Sequence, residues 1–109
     1  MRKVLVVDDQ RDVANALRRV LRSAGFEVAV AYSPEDALAL FDAFDPSLVV
    51  SDFEMGAMNG EQMLRMMMRR KPSLKGLILS GHPRIRVSEQ FGFMNKPWDT
   101  SALLGALAA

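Results

Sequence analysis

The sequence contains no cysteine among its 109 residues, which excludes disulfide bonds, thiolate metal sites and cysteine nucleophiles. It also lacks an excess of either charge. The 14 basic and 13 acidic side chains leave a formal net charge of +1, which does not indicate a surface that binds nucleic acid or membrane. No apolar run reaches the roughly 18 residues of a membrane-spanning helix. The composition therefore favours a protein that binds neither nucleic acid nor membrane directly.

The chain also lacks the features that indicate several domains or a secretory signal. It has no repeat of solenoid length, no low-complexity tract and no hinge rich in glycine, serine or proline, so we expect a single domain over residues 1–109. At its amino terminus, Met1, Arg2 and Lys3 precede only four apolar residues and two aspartates, which is not typical of a secretory signal. We therefore expect the protein in the cytoplasm.

What the sequence does contain is an alternation of short apolar runs and helical stripes. The apolar runs predict five strands, near residues 4–7, 28–31, 48–50, 77–79 and 91–94. Apolar residues at helical spacing predict helices at about 11–24, from Pro34 to Phe44, from about Gly60 to Arg70, and after a cap at Asp99 or Thr100. This alternation predicts a parallel sheet covered by helices on both faces.

Polar side chains follow the ends of four of these strands. In an open parallel sheet, ligands bind beyond the carboxyl ends of the strands, at the point where the strand order reverses. The residues that come directly after the strands, or close behind them, are Asp8, Asp9, Asp52, Ser80 and Lys96. The sequence therefore predicts that three carboxylates, a hydroxyl and an ammonium converge on one rim of the sheet.

The charges of this group indicate what it binds. Three adjacent carboxylates carry −3, and Lys96 reduces this only to −2, so a bound Mg²⁺ would bring the sum to zero. Oxygen ligands without thiolate suit a hard ion, and Mg²⁺ commonly takes one or two carboxylates together with waters and a substrate phosphate. A magnesium site beside a free carboxylate and a lysine is suited to phosphoryl transfer, in which an aspartate attacks in line and forms an acyl phosphate.

Four segments carry a resemblance to a known family. They are Val6-Val7-Asp8-Asp9, the run from Asp52 to Gly60, Leu79-Ser80-Gly81 and Lys96-Pro97-Trp98. In this order, each at or near the end of a predicted strand, they resemble the response-regulator receiver domain, the CheY-like family, over essentially the whole chain. The resemblance implies a flavodoxin-like, doubly wound five-stranded parallel sheet of order 2-1-3-4-5, in which the first and third strands are neighbours.

The resemblance also implies an acceptor and a metal site. Asp52 stands at the position of the phosphoacceptor. Asp9 resembles the carboxylate that contacts Mg²⁺ directly, Asp8 would act largely through water, and the main-chain carbonyl of Glu54 would complete the protein ligands together with Asp52. The phosphoryl donor in this family is a phosphohistidine on a sensor histidine kinase or a histidine phosphotransfer protein.

The same resemblance implies contacts to the phosphoryl group and a switch. Lys96 would pair with the phosphoryl oxygens, assisted by the main-chain N–H groups of Phe53 and Gly81. Ser80 would donate its hydroxyl to a phosphoryl oxygen and be drawn inward. Phe93 occupies the position of the aromatic side chain that follows this movement.

The sequence departs from the family pattern in the loop after Asp52 and in the interval between Ser80 and Lys96. Gly56 replaces the usual proline, so we expect a more flexible loop there. The interval from Ser80 to Lys96 is several residues shorter than in most receivers, and the segment 82–90 has room for about two helical turns at best. We therefore predict that the fourth helix of the family is shortened, frayed or absent.

Three functions are compatible with these features. The first is a phosphorylation-activated receiver of a two-component system, whose state is read by an effector protein or by an output domain outside this chain. The second is a receiver-like interaction module that signals without phosphorylation. The third is a phosphatase or phosphotransferase with an aspartyl-phosphate intermediate; Glu54 is longer than the aspartate expected there and no cap domain is present, so we expect no substrate-turnover enzyme.

Overall fold

The computed structural model describes residues 2–82, 88 and 90–108. Five strands form one parallel sheet in the order β2-β1-β3-β4-β5. The strands are β1 (Lys3–Val7), β2 (Glu27–Ala31), β3 (Leu48–Asp52), β4 (Lys75–Ser80) and β5 (Gly92–Asn95). In the described part of the chain, the helices are α1 (Arg11–Ser23), α2 (Pro34–Phe44), α3 (Gly60–Arg70) and α4 (Thr100–Ala108). The predicted doubly wound α/β fold is confirmed.

The position of β1 between two layers explains its wholly apolar run. Leu5 and Val7 lie in the core layer beneath α2 and α3, whereas Val4 and Val6 lie in the layer beneath α1 and α4. All four side chains are fully buried. Because residues 4–7 have no polar face, polar side chains can stand only at or beyond the ends of the strand, as Lys3 does at the amino end and Asp8 at the carboxyl end.

Side chains cap the first turns of three helices, α2, α3 and α4. The Ser33 hydroxyl accepts a hydrogen bond from the Asp36 N–H at 3.1 Å at the start of α2. A reciprocal pair of hydrogen bonds between Asn59 and Gln62, at 2.8 and 2.9 Å, forms a capping box at the start of α3. Asp99 accepts from the Ala102 N–H at 2.9 Å and caps α4. These caps satisfy backbone donors that have no partner within the helix.

The predicted shortening of the fourth family helix, at 82–90, falls mainly outside the described residues and stays a prediction. The described end of this segment is attached to α3. The Ser88 N–H donates to Glu61 Oε1 at 2.9 Å, and the Ser88 carbonyl accepts from the Phe91 N–H at 3.1 Å. Phe91 is buried, and the guanidinium of Arg65, which pairs with Glu61, lies 5.9 Å from its ring centre. The entry to β5 is thus held by the first turns of α3.

Candidate functional site

The carboxyl ends of β1 and β3 bring the predicted acidic residues together. Val7 is paired with Ser51, so the next residues, Asp8 and Asp52, lie side by side. Asp8 is fully buried and Asp52 is 5% exposed, whereas Asp9 is exposed. One carboxylate oxygen from each of the three lies within 4.8 Å of the others. The predicted convergence of these residues is confirmed.

Lys96 completes the cluster from the carboxyl end of β5, the edge strand of the sheet. Its main-chain N–H donates to the Ser80 carbonyl at 2.8 Å, which extends the pairing of β4 with β5 by one residue. From there Nζ lies 2.9 Å from Asp8 Oδ2 and 3.1 Å from Asp52 Oδ1. With 17% of its side chain exposed, this lysine points inward, as its expected pairing with the carboxylates requires.

Burial and like charge perturb the titration of this cluster. The pKa of Asp52 is raised to about 6: burial is the main cause, the Lys96 ammonium opposes it, and the negative charges of Asp8 and Glu54 add to the rise. Burial alone would lower the pKa of Lys96, but the attraction of the Asp8 and Asp52 carboxylates outweighs this, so that pKa is raised. The lysine therefore stays charged at neutral pH, and Asp52 is mostly ionised there.

The donor set of the cluster fits a hard divalent cation. Asp52 Oδ1 is buried, and although Lys96 lies near it as an ion pair, no group in the described part of the chain makes a hydrogen bond to this oxygen. Buried carboxylate oxygens are normally hydrogen-bonded or bound to a metal, so an oxygen without such a bond is what a metal site would contain. The exposure of Asp9 leaves room for water ligands, which Mg²⁺ usually retains.

Ser80 makes a different contact from the one expected for it. This last residue of β4 is fully buried, and its hydroxyl donates to Glu54 Oε1 at 2.5 Å while accepting from the His82 N–H at 2.9 Å. Only the main-chain carbonyl of Glu54 was expected at the site, and the part played by its side chain was not predicted. The available signal was a fourth carboxylate two residues after Asp52. Its negative charge makes the rim more acidic than the three aspartates alone.

The expected contact from the Phe53 main chain is not available in this structure. Its N–H donates to the Leu79 carbonyl at 2.8 Å, because the pairing of β3 with β4 continues one residue beyond Asp52. A phosphoryl group could use this donor only if that bond were broken or shared, so the predicted contact of Phe53 stays a prediction. Gly81 is exposed directly after Ser80, and its predicted contact stays a prediction.

Phe93 lies within β5, opposite Ile78 of β4. It is half-buried and packs against the core layer beneath α2 and α3. Its role as a switch stays a prediction.

Gly60 is a positioning residue that was not predicted from the sequence. It begins α3, and its N–H donates to the Phe53 carbonyl at 2.9 Å. A Cβ atom built on Gly60 would overlap the main-chain carbonyl of Asp52 and lie 2.9 Å from Ser51 Oγ. The helix can approach the end of β3 this closely only because the residue has no side chain.

A parallel sheet of order 2-1-3-4-5 with a polar site at its switch point defines the flavodoxin-like class of α/β proteins. Within this class, the family model of the response regulator receiver domain matches residues 4–108. The chain therefore belongs to the response regulator receiver domain family, whose members act in phosphorylation-activated two-component signalling. In the described part of the chain, no helix combines the length and the apolar character that crossing a membrane requires.

Curated relatives are mostly much longer proteins. The C4-dicarboxylate transport transcriptional regulatory protein DctD of Rhizobium meliloti is 31% identical over 107 residues, which cover 93% of this chain and 23% of that protein. A protein-glutamate methylesterase/protein-glutamine glutaminase of Rhodospirillum rubrum is 40% identical over 73 residues, which cover 66% of this chain and 20% of that protein. The chain thus spans about a quarter or less of the length of these relatives.

Solved structures match almost the whole chain. A response regulator receiver domain protein of Clostridium thermocellum has a TM-score of 0.91 at 25% identity, covering 99% of this chain and 92% of that one. The response regulator TrrA of Thermotoga maritima, solved in complex with Mg²⁺-BeF, has a TM-score of 0.89 at 24% identity, covering 99% of this chain and 97% of that one. These matches establish the fold independently of the sequence motifs.

Proposed function

We propose that Asp52 accepts a phosphoryl group from a phosphohistidine donor, and that residues 1–109 act as one receiver domain. The observation that carries the proposal is the position of the Lys96 ammonium, 2.9 Å from Asp8 and 3.1 Å from Asp52, beside a cluster of three carboxylates. A buried aspartate with an adjacent fixed cation is a suitable nucleophile for phosphorus, because the cation offsets the repulsion between two negatively charged reactants.

In the proposed reaction, a carboxylate oxygen of Asp52 attacks the phosphorus atom in line with the bond to the donor histidine. The new P–O bond forms as the P–N bond breaks, and the electron pair of that bond returns to the imidazole nitrogen, which takes up a proton. Lys96 would pair with the phosphoryl oxygens. The carboxylates of Asp8, Asp9 and Asp52, with the main-chain carbonyl of Glu54, would hold Mg²⁺, which when bound neutralises charge on the transferred group.

The ionisation of Asp52 sets the pH range of this chemistry. The nucleophile is the carboxylate, and in the metal-free protein its pKa is raised to about 6, mainly by burial. In the metal-free protein Asp52 therefore ionises as the pH rises through 6, so binding of Mg²⁺, and with it phosphorylation at limiting Mg²⁺, is expected to increase over this range. The same site would release phosphate by hydrolysis of the acyl phosphate, so the domain modifies itself and turns over no separate substrate.

The partners follow from this chemistry. The donor is a sensor histidine kinase or a histidine phosphotransfer protein, and the phosphorylated state is read by an effector protein or by an output domain outside this chain. Because phosphohistidine is made from ATP by kinases, we place the reaction in the cytoplasm. The proposal assigns no direct contact to nucleic acid or membrane, which agrees with the net charge of +1.

The test uses acetyl phosphate and Mg²⁺ with intact-mass detection. The wild-type chain is expected to gain the mass of one phosphoryl group, and Asp52→Asn is expected to gain none. Asp42→Asn is the matched control, because Asp42 is an exposed carboxylate on α2 that pairs with Arg70 away from the rim. A folded wild-type protein that is never modified, and that does not bind beryllofluoride with Mg²⁺, would contradict the proposal and favour an interaction module that signals without phosphorylation.

A further inference from the structure

The single proton of the Ser80 hydroxyl is already donated in this structure. A serine hydroxyl has one proton to donate and two lone pairs with which to accept. Ser80 donates its proton to Glu54 Oε1 at 2.5 Å and accepts from the His82 N–H at 2.9 Å. A hydroxyl-to-carboxylate distance of this length is typical of a charge-assisted hydrogen bond. While this bond exists, Ser80 cannot donate the same proton to a phosphoryl oxygen.

We propose that Glu54 is a positioning residue that holds the Ser80 hydroxyl in the unphosphorylated state, so that a phosphoryl group on Asp52 must displace the Glu54 carboxylate. This inference rests on the proposed function of Asp52. The Glu54 carboxylate acts as an internal competitor, because it is an anionic oxygen acceptor like the phosphoryl group itself. Release of Ser80 is then coupled to arrival of the phosphoryl group.

The backbone on either side of Glu54 is held in place, which makes its side chain the movable part. The Phe53 N–H donates to Leu79, and the Phe53 carbonyl accepts from the Gly60 N–H at 2.9 Å. Met55, the next residue, is 7% exposed and packs in the core. The Glu54 residue itself is exposed, so rotation of its side chain into solvent requires no rearrangement of its neighbours.

Electrostatic repulsion also favours displacement of the Glu54 carboxylate from Ser80. The charge of Glu54 contributes to the raised pKa of Asp52, so the two carboxylates lie close enough to repel. A phosphoryl group on Asp52 would add negative charge at the same place and increase the repulsion. The arriving group therefore both competes for the Ser80 proton and drives the Glu54 carboxylate outward.

The first experiment examines the contact without metal or phosphoryl mimic. A double-mutant cycle of Glu54→Ala and Ser80→Ala, measured by urea unfolding in EDTA, is expected to show a favourable coupling of about fivefold in the unfolding equilibrium constant. Glu54→Gln, which keeps an acceptor oxygen but no charge, should retain part of that coupling. Coupling indistinguishable from zero would overturn the proposal, whatever the outcome for phosphorylation.

The second experiment measures binding of beryllofluoride with Mg²⁺ by titration calorimetry. Removal of the competitor in Glu54→Ala is expected to tighten binding about fivefold to tenfold, and the same substitution in a Ser80→Ala background is expected to have a much smaller effect. Glu27→Ala, which removes an exposed carboxylate at the amino end of β2, is the control for loss of one negative charge.

The two arms separate the possible failures. Equal tightening by Glu54→Ala with and without the Ser80 hydroxyl would overturn the proposal, because charge repulsion alone would then explain the effect. Failure of the wild-type protein to bind beryllofluoride would instead contradict the proposed function of Asp52, while the unfolding cycle would still decide whether Glu54 holds Ser80.

Discussion

Replacing Asp52 by asparagine is expected to stabilise the metal-free protein at neutral pH. The pKa of Asp52 is raised from 3.8 to about 6, mainly by burial. Between these values the folded protein holds a proton that the unfolded chain has released, so the stability of the wild-type protein falls as the pH rises through this window. Asparagine resembles the protonated carboxyl group and carries no proton to lose. The stability of the variant therefore does not fall in this way as the pH rises.

The size of the effect follows from the pKa shift. A shift of slightly more than two pKa units, at about 1.4 kcal/mol per unit, corresponds to about 3 kcal/mol. Asp52 stands at the rim of the sheet, where water screens part of its charge, so we expect about 2 kcal/mol at pH 7. Below pH 4 the carboxyl group is protonated in both states, and the difference between variant and wild type should approach zero.

Urea unfolding in EDTA at several pH values between 3.5 and 7.5 measures this difference directly. The fluorescence of Trp98, which packs in the core layer of α1 and α4, can follow the transition. Asp42→Asn is the control and should stay within about 0.5 kcal/mol of wild type at each pH, because Asp42 is exposed. An Asp52→Asn variant that is less stable than wild type at pH 7, or whose stability gain does not change with pH, would refute the reasoning.

Two further substitutions test the packing and the charge balance of the site. Gly60→Ala is expected to destabilise the protein by about 2 kcal/mol or more in urea unfolding, because its Cβ would overlap the backbone of Asp52, whereas Gly105→Ala at an open helix position should stabilise it by up to about 1 kcal/mol. Equal effects of the two would contradict the close approach. Lys96→Met removes the cation beside Asp8 and Asp52 and is expected to cost about 2 kcal/mol at pH 7, with phosphorylation by acetyl phosphate strongly slowed. A variant of unchanged stability and phosphorylation rate would argue against the role of this ion pair.

The fold could be predicted in detail because its signals are local. The third helix was expected from about Gly60 to Arg70 and has these bounds, since the apolar spacing and the proline after it act within a few residues. The strand of residues 4–7 was expected to be buried on both faces, and its four side chains are fully buried. Both signals depend on neighbours in the sequence and require no knowledge of distant contacts.

Part of the site could also be predicted, because the topology of a parallel sheet brings together strand ends that are far apart in sequence. The carboxyl ends of parallel strands meet at one edge, so Asp8, Asp52 and Lys96 were expected together, and the lysine ammonium lies within 3.1 Å of both carboxylates. Which acceptor each hydrogen-bond donor uses could not be predicted in this way. The Ser80 hydroxyl donates to Glu54, and the Phe53 N–H donates to Leu79.

The sequence by itself determined the layered parallel sheet and the residue types at its rim, because apolar periodicity and strand-end positions are properties of the chain order. Only the tertiary structure decided how deeply Asp52 is buried, how closely Gly60 approaches it, and which oxygen receives the Ser80 proton. Burial and hydrogen bonding depend on differences of a few tenths of an ångström in the distances between segments far apart in sequence. Those distances are set by the packing of the whole sheet and its helices.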